Sequence, residues 1–255
     1  MNTVIDGRPA GAGDVALAIT ARYGHFTAMQ VRGRRVRGLA FHLDRLDSAT
    51  RELFGQELDR DLVLDSIRTV LDRDDASVRV YVCEVDRLRV IATAAPPAEV
   101  ATVPQRLRSV RHQRFLAHVK HTGGFAQGYL GRQVKAEGFD EALFTTADGV
   151  ISEGSITNLG CFDGSRIIWP DAPMLRGITM RLLEVSDIPS ERRVLRVADL
   201  PGFEAVFLSN SHGVVAVGQV DDVVLKVNDE AVATVVGAYE ATPWDALERA
   251  GQDAP

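Results

Sequence analysis

Residues 138–162, GFDEALFTTADGVISEGSITNLGCF, decide how the second half of the chain folds. EALFTT and VISEG are strand-like runs on either side of Ala147-Asp148-Gly149, and an Asp-Gly pair between two such runs favours a tight reversal. ITNLGCF and SRIIW flank Asp163-Gly164 in the same way, so the spacing predicts a meander of antiparallel strands. Glu153 is a lone acid among apolar and small residues there; an unpaired buried carboxylate is costly, so it needs a partner.

Downstream, LRGITMRLLEV carries Leu175, Ile178, Leu182 and Leu183 at helical spacing, which puts Gly177 and Ile178 at a helix start. Free backbone N–H groups and the Thr179 hydroxyl there could take an anion, although a plain helix start without a ligand explains this motif alone. AVFLSN and GVVAVGQV form a last strand pair around SNSHG, a polar cluster containing Ser211 that could close round the same anion. Upstream, HQRFLAHV reads as a strand running into Lys120, followed by two glycines and a helix over 125–137 closed by Gly138. Burial or neighbouring cations make a lysine nucleophilic by populating its neutral amine, but nothing local shows that Lys120 is buried.

Before this region, Leu39, Leu43, Leu46, Leu53 and Phe54 keep helical spacing, with Gly55 placed for a left-handed cap. A second helical pattern runs from Leu58 to Leu71, and SVRVYVCEV and LRVIATA form a hairpin around Asp86-Arg87. AAPPAEVATVP then forbids regular structure. The expected architecture is α/β with two domains: a small N-terminal α/β domain over 1–95, a linker over 96–104 and a larger C-terminal domain over 105–255 that contains the meander.

A chain of 255 residues, 45% apolar and 25% charged, is globular in composition and not disordered. A formal net charge of −6 leaves no overall field to attract nucleic acid. Arg32, Arg34, Arg35 and Arg37 sit around Gly33 and Gly38 and read as a solvated strand and turn. The N-terminus MNTVIDGRPAGAGDVALAIT lacks a leader pattern and no segment is long enough to cross a bilayer, so a cytoplasmic protein is expected. Cys83 and Cys161 lie far apart in apolar runs and read as inert core thiols. No metal spacing is present, and His25, His42, His112, His118 and His212 receive no role.

Five blocks taken together, FHLDRLDSATRELFG, VKH, GFDEALFTTADGVISEGSITNLGCF, LRGITM and FLSNSHGVVAV, resemble the class IV aminotransferases in order and spacing over residues 26–221. That family comprises the fold-type IV pyridoxal-phosphate enzymes, among them branched-chain and D-amino acid aminotransferases and aminodeoxychorismate lyase. The resemblance implies pyridoxal 5'-phosphate as cofactor, a small amino acid or amino-chorismate as substrate and a homodimer. It makes Lys120 the Schiff-base lysine, which later shuttles the substrate Cα proton, and Glu153 the partner of the pyridine nitrogen. Arg45, Gly177, Ile178, Thr179 and Ser211 then match the phosphate-binding positions, and Asn158 gives structural support.

The chain also departs from that pattern. Phe125 stands five residues after the lysine, where aminotransferases usually carry a tyrosine that bonds the cofactor's 3'-oxygen. Phe26-Thr27 replaces a common Phe-Glu pair, and His121 follows Lys120; both features are closer to aminodeoxychorismate lyase. Thr27, His121 and Phe125 are therefore the substrate-side candidates. The expected activity is transfer of an amino group between an amino acid and a keto acid. The alternatives are a lyase releasing pyruvate and 4-aminobenzoate, and a scaffold that binds cofactor without turnover.

Overall fold

Strand β3 (Gly24–Arg32) sets the first half of the fold, because its residues alternate between a face covered by helices and an opposite face. The computed structural model describes residues 2–11, 13, 14 and 23–247; residues 15–20 of the N-terminal stretch and the last eight of the expected second domain lie outside these. Preceding β3 are β1 (Asn2–Ile5) and β2 (Arg8–Pro9). After it come β4 (Arg35–Arg37), helices α1 (Leu39–Phe54) and α2 (Arg60–Val70), β5 (Ala76–Glu84) and β6 (Leu88–Ala95). Gly55 closes α1 with φ of 65°, as the sequence predicts, and the Asp59 side chain caps α2 by accepting from Leu62 N.

The second half begins with β7 (Gln105–Arg111) and α3 (Phe125–Ala136). It continues through β8 (Glu141–Thr145), β9 (Ile151–Gly154), β10 (Asn158–Phe162) and β11 (Ile167–Pro170) to α4 (Ile178–Glu184). Then follow β12 (Ser190–Arg193), β13 (Ala205–Asn210), β14 (Gly213–Val220), β15 (Val223–Val224), α5 (Asp229–Glu240) and β16 (Trp244–Ala246).

The chain divides into two units. One takes the described residues of Met1–Ala98, Val119–Gly123 and Pro243–Pro255; the other takes Glu99–His118 and Gly124–Thr242. The sequence assigns residues 119–123 and 243–247 to the second domain, whereas the structure groups them with the first. The reason is edge pairing. Phe26 N donates to Lys120 O at 2.8 Å and Thr122 N to Gly24 O at 2.9 Å, while β16 pairs antiparallel with β4.

The first unit holds a seven-stranded antiparallel sheet in the order β16-β4-β3-β5-β6-β1-β2. Leu43, Leu46, Val63 and Ile67 from α1 and α2 pack on Met29, Val31, Val78, Val80 and Val90 from the strands. The second unit holds a nine-stranded sheet in which β12-β11-β10-β13-β14-β7-β8-β9 are neighbours and β15 pairs with β14. The antiparallel pairs of the expected meander are there, joined by three parallel pairings, β7 with β8, β14 with β7 and β11 with β12. Residues 112–119, read from sequence as a strand, instead form a turn that includes Leu116 at φ of 46°. The ladder between β7 and β8 ends at Arg111 and Thr145, with one further bond from His112 N to Thr145 O at 3.1 Å, and there β8 reverses away from the chain.

Gly160 on β10 sits where two aromatic side chains close on the backbone. A Cβ there would lie 2.4 Å from Phe207 Cζ and 2.7 Å from Trp169 Cζ3, two aromatic rings that meet edge to face. Gly160→Ala is expected to destabilise the protein by about 1–3 kcal/mol, because neither buried ring can withdraw. Urea unfolding of the two proteins checks this; equal midpoints would mean that the rings are free to move.

Candidate active site

Of the residues singled out by sequence, Lys120, Arg45, Thr27 and His121 lie in the first unit; Glu153, Asn158, Gly177, Ile178, Thr179, Ser211 and Phe125 lie in the second. In the first unit, alternation along β3 aims His25 and Thr27 at α1, while the turn of that helix puts His42, Leu46, Ala49 and Thr50 on the facing side. Arg45 Nη2 donates a short hydrogen bond to Thr27 Oγ1, which lies 2.6 Å from His42 Nδ1. Thr27 is fully buried, so its hydroxyl is committed inside the unit.

His25, also buried, lies with its Nε2 3.0 Å from Thr50 Oγ1. Thr50 spends its own proton on Leu46 O, so His25 must donate, which makes it the neutral tautomer protonated on Nε2. Burial, reinforced by the nearby Arg45 charge, lowers its pKa to about 4. Its Nδ1 has no partner among the described residues.

Phe26 points to the opposite face and stacks on Tyr81 with ring centroids 5.3 Å apart. The Lys120 amine lies over Phe26, 5.0 Å from the ring centroid. His121 is half-buried, bridged to His25 through the backbone.

In the second unit Glu153 and Asn158 flank the turn between β9 and β10. Glu141, on β8, accepts at one oxygen from Ser155 Oγ, Ile156 N and Thr157 Oγ1, at 3.3, 2.8 and 2.9 Å. Burial raises its carboxyl pKa, and these three donors pull it back. The pinned turn presents Glu153 before it and Asn158 after it. Glu153 is buried, 3.5 Å from Arg114 Nη1 and 3.3 Å from Leu175 N. Arg114 is thus the partner that the lone acid requires, and sequence reasoning missed it because the pair is 39 residues apart.

Asn158 clasps the start of α4, donating to Leu175 O at 2.7 Å and accepting from Gly177 N at 3.1 Å. Only glycine fits at Gly177, since a Cβ would lie 2.3 Å from Asn158 Oδ1. Thr179 Oγ1 donates to Asn210 O at 2.5 Å, which leaves its oxygen to accept and its backbone N–H, with that of Ile178, at a helix start. Ser211 is half-buried, and Phe125 is 85% exposed and stacked on Tyr129. Cys83 and Cys161 are buried free thiols; burial raises the first to about 11 and also raises the second. Among the described residues no helix is long and apolar enough to cross a membrane.

The first unit thus holds an amine and a guanidinium, and the second holds a buried carboxylate and backbone N–H groups at a helix start. The class IV amino-transferase family model matches residues 24–220, and the chain belongs to that family. Its fold is that of several solved members. A hypothetical aminotransferase from Mycobacterium tuberculosis in its PLP-bound form superposes with a TM-score of 0.78 at 20% identity, covering 94% of this chain and 99% of that one. The branched-chain amino acid aminotransferase from Escherichia coli gives 0.80 at 16% identity, with 97% and 99% covered. A putative 4-amino-4-deoxychorismate lyase from Legionella pneumophila gives 0.75 at 19%, with 92% and 96% covered. No curated protein sequence matches the chain.

The buried histidine makes stability depend on pH. Unfolded, His25 titrates near its ordinary value of about 6.5. Between that and its folded value of about 4, only the unfolded chain takes the proton, so stability falls as pH drops through this window, by at most about 3 kcal/mol. His25→Gln is expected to flatten the difference in urea midpoint between pH 7 and pH 4.5; an unchanged slope would mean that His25 is not the titrating group. At the acid pair, Arg114→Met strands a buried carboxylate and is expected to cost about 3 kcal/mol, much of it recovered by adding Glu153→Gln. A double-mutant cycle in urea measures the coupling, and strict additivity would rule the pair out.

Proposed function

We propose that the chain is a pyridoxal-phosphate-dependent aminotransferase that moves an amino group between an amino acid and a keto acid, with Lys120 as the residue that bonds the cofactor. The state of the lysines carries this reading. The sequence contains three, Lys120, Lys135 and Lys226, of which the last two are exposed. Lys120 alone is drawn in, with its amine on the Phe26 ring. An amine held against a ring face is fixed in place, and once deprotonated it can attack a carbonyl.

The other groups fit the cofactor's chemistry. The Arg45 fork suits a phosphate dianion, with the Ile178 and Thr179 N–H groups and the Ser211 hydroxyl as further donors and Asn158 and Gly177 fixing the helix start. The Glu153 carboxylate, held between Arg114 and Leu175 N, suits a protonated ring nitrogen. When bound, pyridoxal phosphate supplies an electron sink for the charge left at the substrate Cα. Lys120 serves as the base that takes that proton and returns it. His121 and Phe125 are the residues offered for the substrate side.

The second reading, a lyase that releases pyruvate and 4-aminobenzoate, draws its support from His121 directly after Lys120. The two separate in a single turnover without acceptor, supplied with L- and D-amino acids and with aminodeoxychorismate. An aminotransferase accumulates the aminated cofactor; a lyase releases pyruvate and leaves the cofactor unchanged.

Borohydride reduction of the protein loaded with pyridoxal phosphate, followed by peptide mass mapping, is expected to find the label on Lys120. Lys120→Ala should lose the visible absorbance of the bound cofactor together with turnover. Labelling confined to Lys135 or Lys226 would refute the assignment.

A further inference from the structure

We propose, building on the reading of Arg45 as the phosphate-holding residue, that Thr27 is a positioning residue which aims the Arg45 guanidinium, with His42 fixing the Thr27 hydroxyl behind it. A guanidinium can only donate, so the short bond between Arg45 Nη2 and Thr27 Oγ1 occupies a lone pair of the hydroxyl. The hydroxyl keeps its proton and a second lone pair for the link to His42 Nδ1, 2.6 Å away. Thr27 and His42 are 0% and 3% exposed, so water does not compete for either link.

The sequence places these three groups together through two periodicities. His42 and Arg45 are three residues apart on α1 and share one side of it, and Thr27 comes from the facing side of β3. The arrangement matters because arginine has many rotamers. A phosphate fork bound to a guanidinium that is already held loses less entropy than one that must first order it. A hydroxyl also holds the guanidinium without neutralising it. A carboxylate at residue 27 would hold it as firmly but oppose the approach of a dianion. His25, on the same face, stays neutral and adds no competing positive charge.

The test is the ratio of dissociation constants for pyridoxal phosphate and for pyridoxal, which lacks the phosphate. It is measured by equilibrium dialysis on the full chain stripped of cofactor. Both ligands share every interaction except those of the phosphate, so a general loss of structure moves both constants and leaves the ratio alone. Thr27→Val is expected to reduce the preference for the phosphorylated ligand by about tenfold, the scale of one lost hydrogen bond to a charged group, and Thr27→Ser to restore it.

Arg45→Gln is the reference. If it removes the preference while Thr27→Val does not, Arg45 holds the phosphate unaided and the positioning role is overturned. If Arg45→Gln leaves the preference intact, the phosphate lies elsewhere and both readings fail. Should Thr27→Val not fold, as thermal melting would reveal, His42→Leu carries the test. That variant keeps Thr27 and Arg45 but removes the imidazole that fixes the hydroxyl, so an undiminished preference overturns the relay.

Discussion

One oxygen of the Glu141 carboxylate collects three donors from consecutive residues, Ser155, Ile156 and Thr157, and the layout of the second unit around β9 and β10 depends on that gathering. A buried carboxyl would ordinarily be a liability. Here its demand for partners bends the chain between β9 and β10 into one conformation, and it does so from a neighbouring strand. Gly154 is part of the same constraint, since a Cβ there would lie 2.1 Å from Thr157 Oγ1 and 2.5 Å from Glu141 Oε1. Glu153 and Asn158 inherit their directions from this turn, and Asn158 passes the constraint on to the start of α4 through Leu175 and Gly177.

The first unit solves a related problem with neutral groups. Between β3 and α1 lie two histidines, two threonines and an arginine, a polar cluster set among the aliphatic core residues Met29, Val31, Leu43 and Leu46. Burial and the nearby Arg45 guanidinium hold His25 uncharged. The hydroxyls of Thr27 and Thr50 turn what would be unsatisfied nitrogens into directed links. On the other face of β3, Phe26 and Tyr81 form an aromatic surface that carries the Lys120 amine.

Much of this was legible in advance where a local rule applied. The α1 helix and its Gly55 cap, the hairpin of β5 and β6, and the reversals at Gly149 and Gly164 follow from residues a few positions apart, with left-handed φ of 65°, 77° and 98° at the three glycines. The stretch before Lys120 was misread because its apolar residues suit a strand while nothing local reveals that the neighbouring strand ends at Thr145. His25 and His42 received no role because a lone histidine carries no signal. Their spacing to Thr27 and Arg45, two along a strand and three along a helix, was the available clue.

By itself, then, the amino-acid sequence determined the types and limits of most elements, the identity of the reactive lysine candidate and the family pattern, because those rest on short-range periodicity, turn chemistry and the order of motifs along the chain. Only the tertiary structure decided that Arg114 is the partner of Glu153, that Glu141 pins the turn beside it, and that residues 119–123 and 243–247 complete the first unit. Those are choices of partner between distant segments. They are settled by which strand edges and buried polar atoms remain unsatisfied once the sheets have formed, a condition that no local stretch of residues encodes.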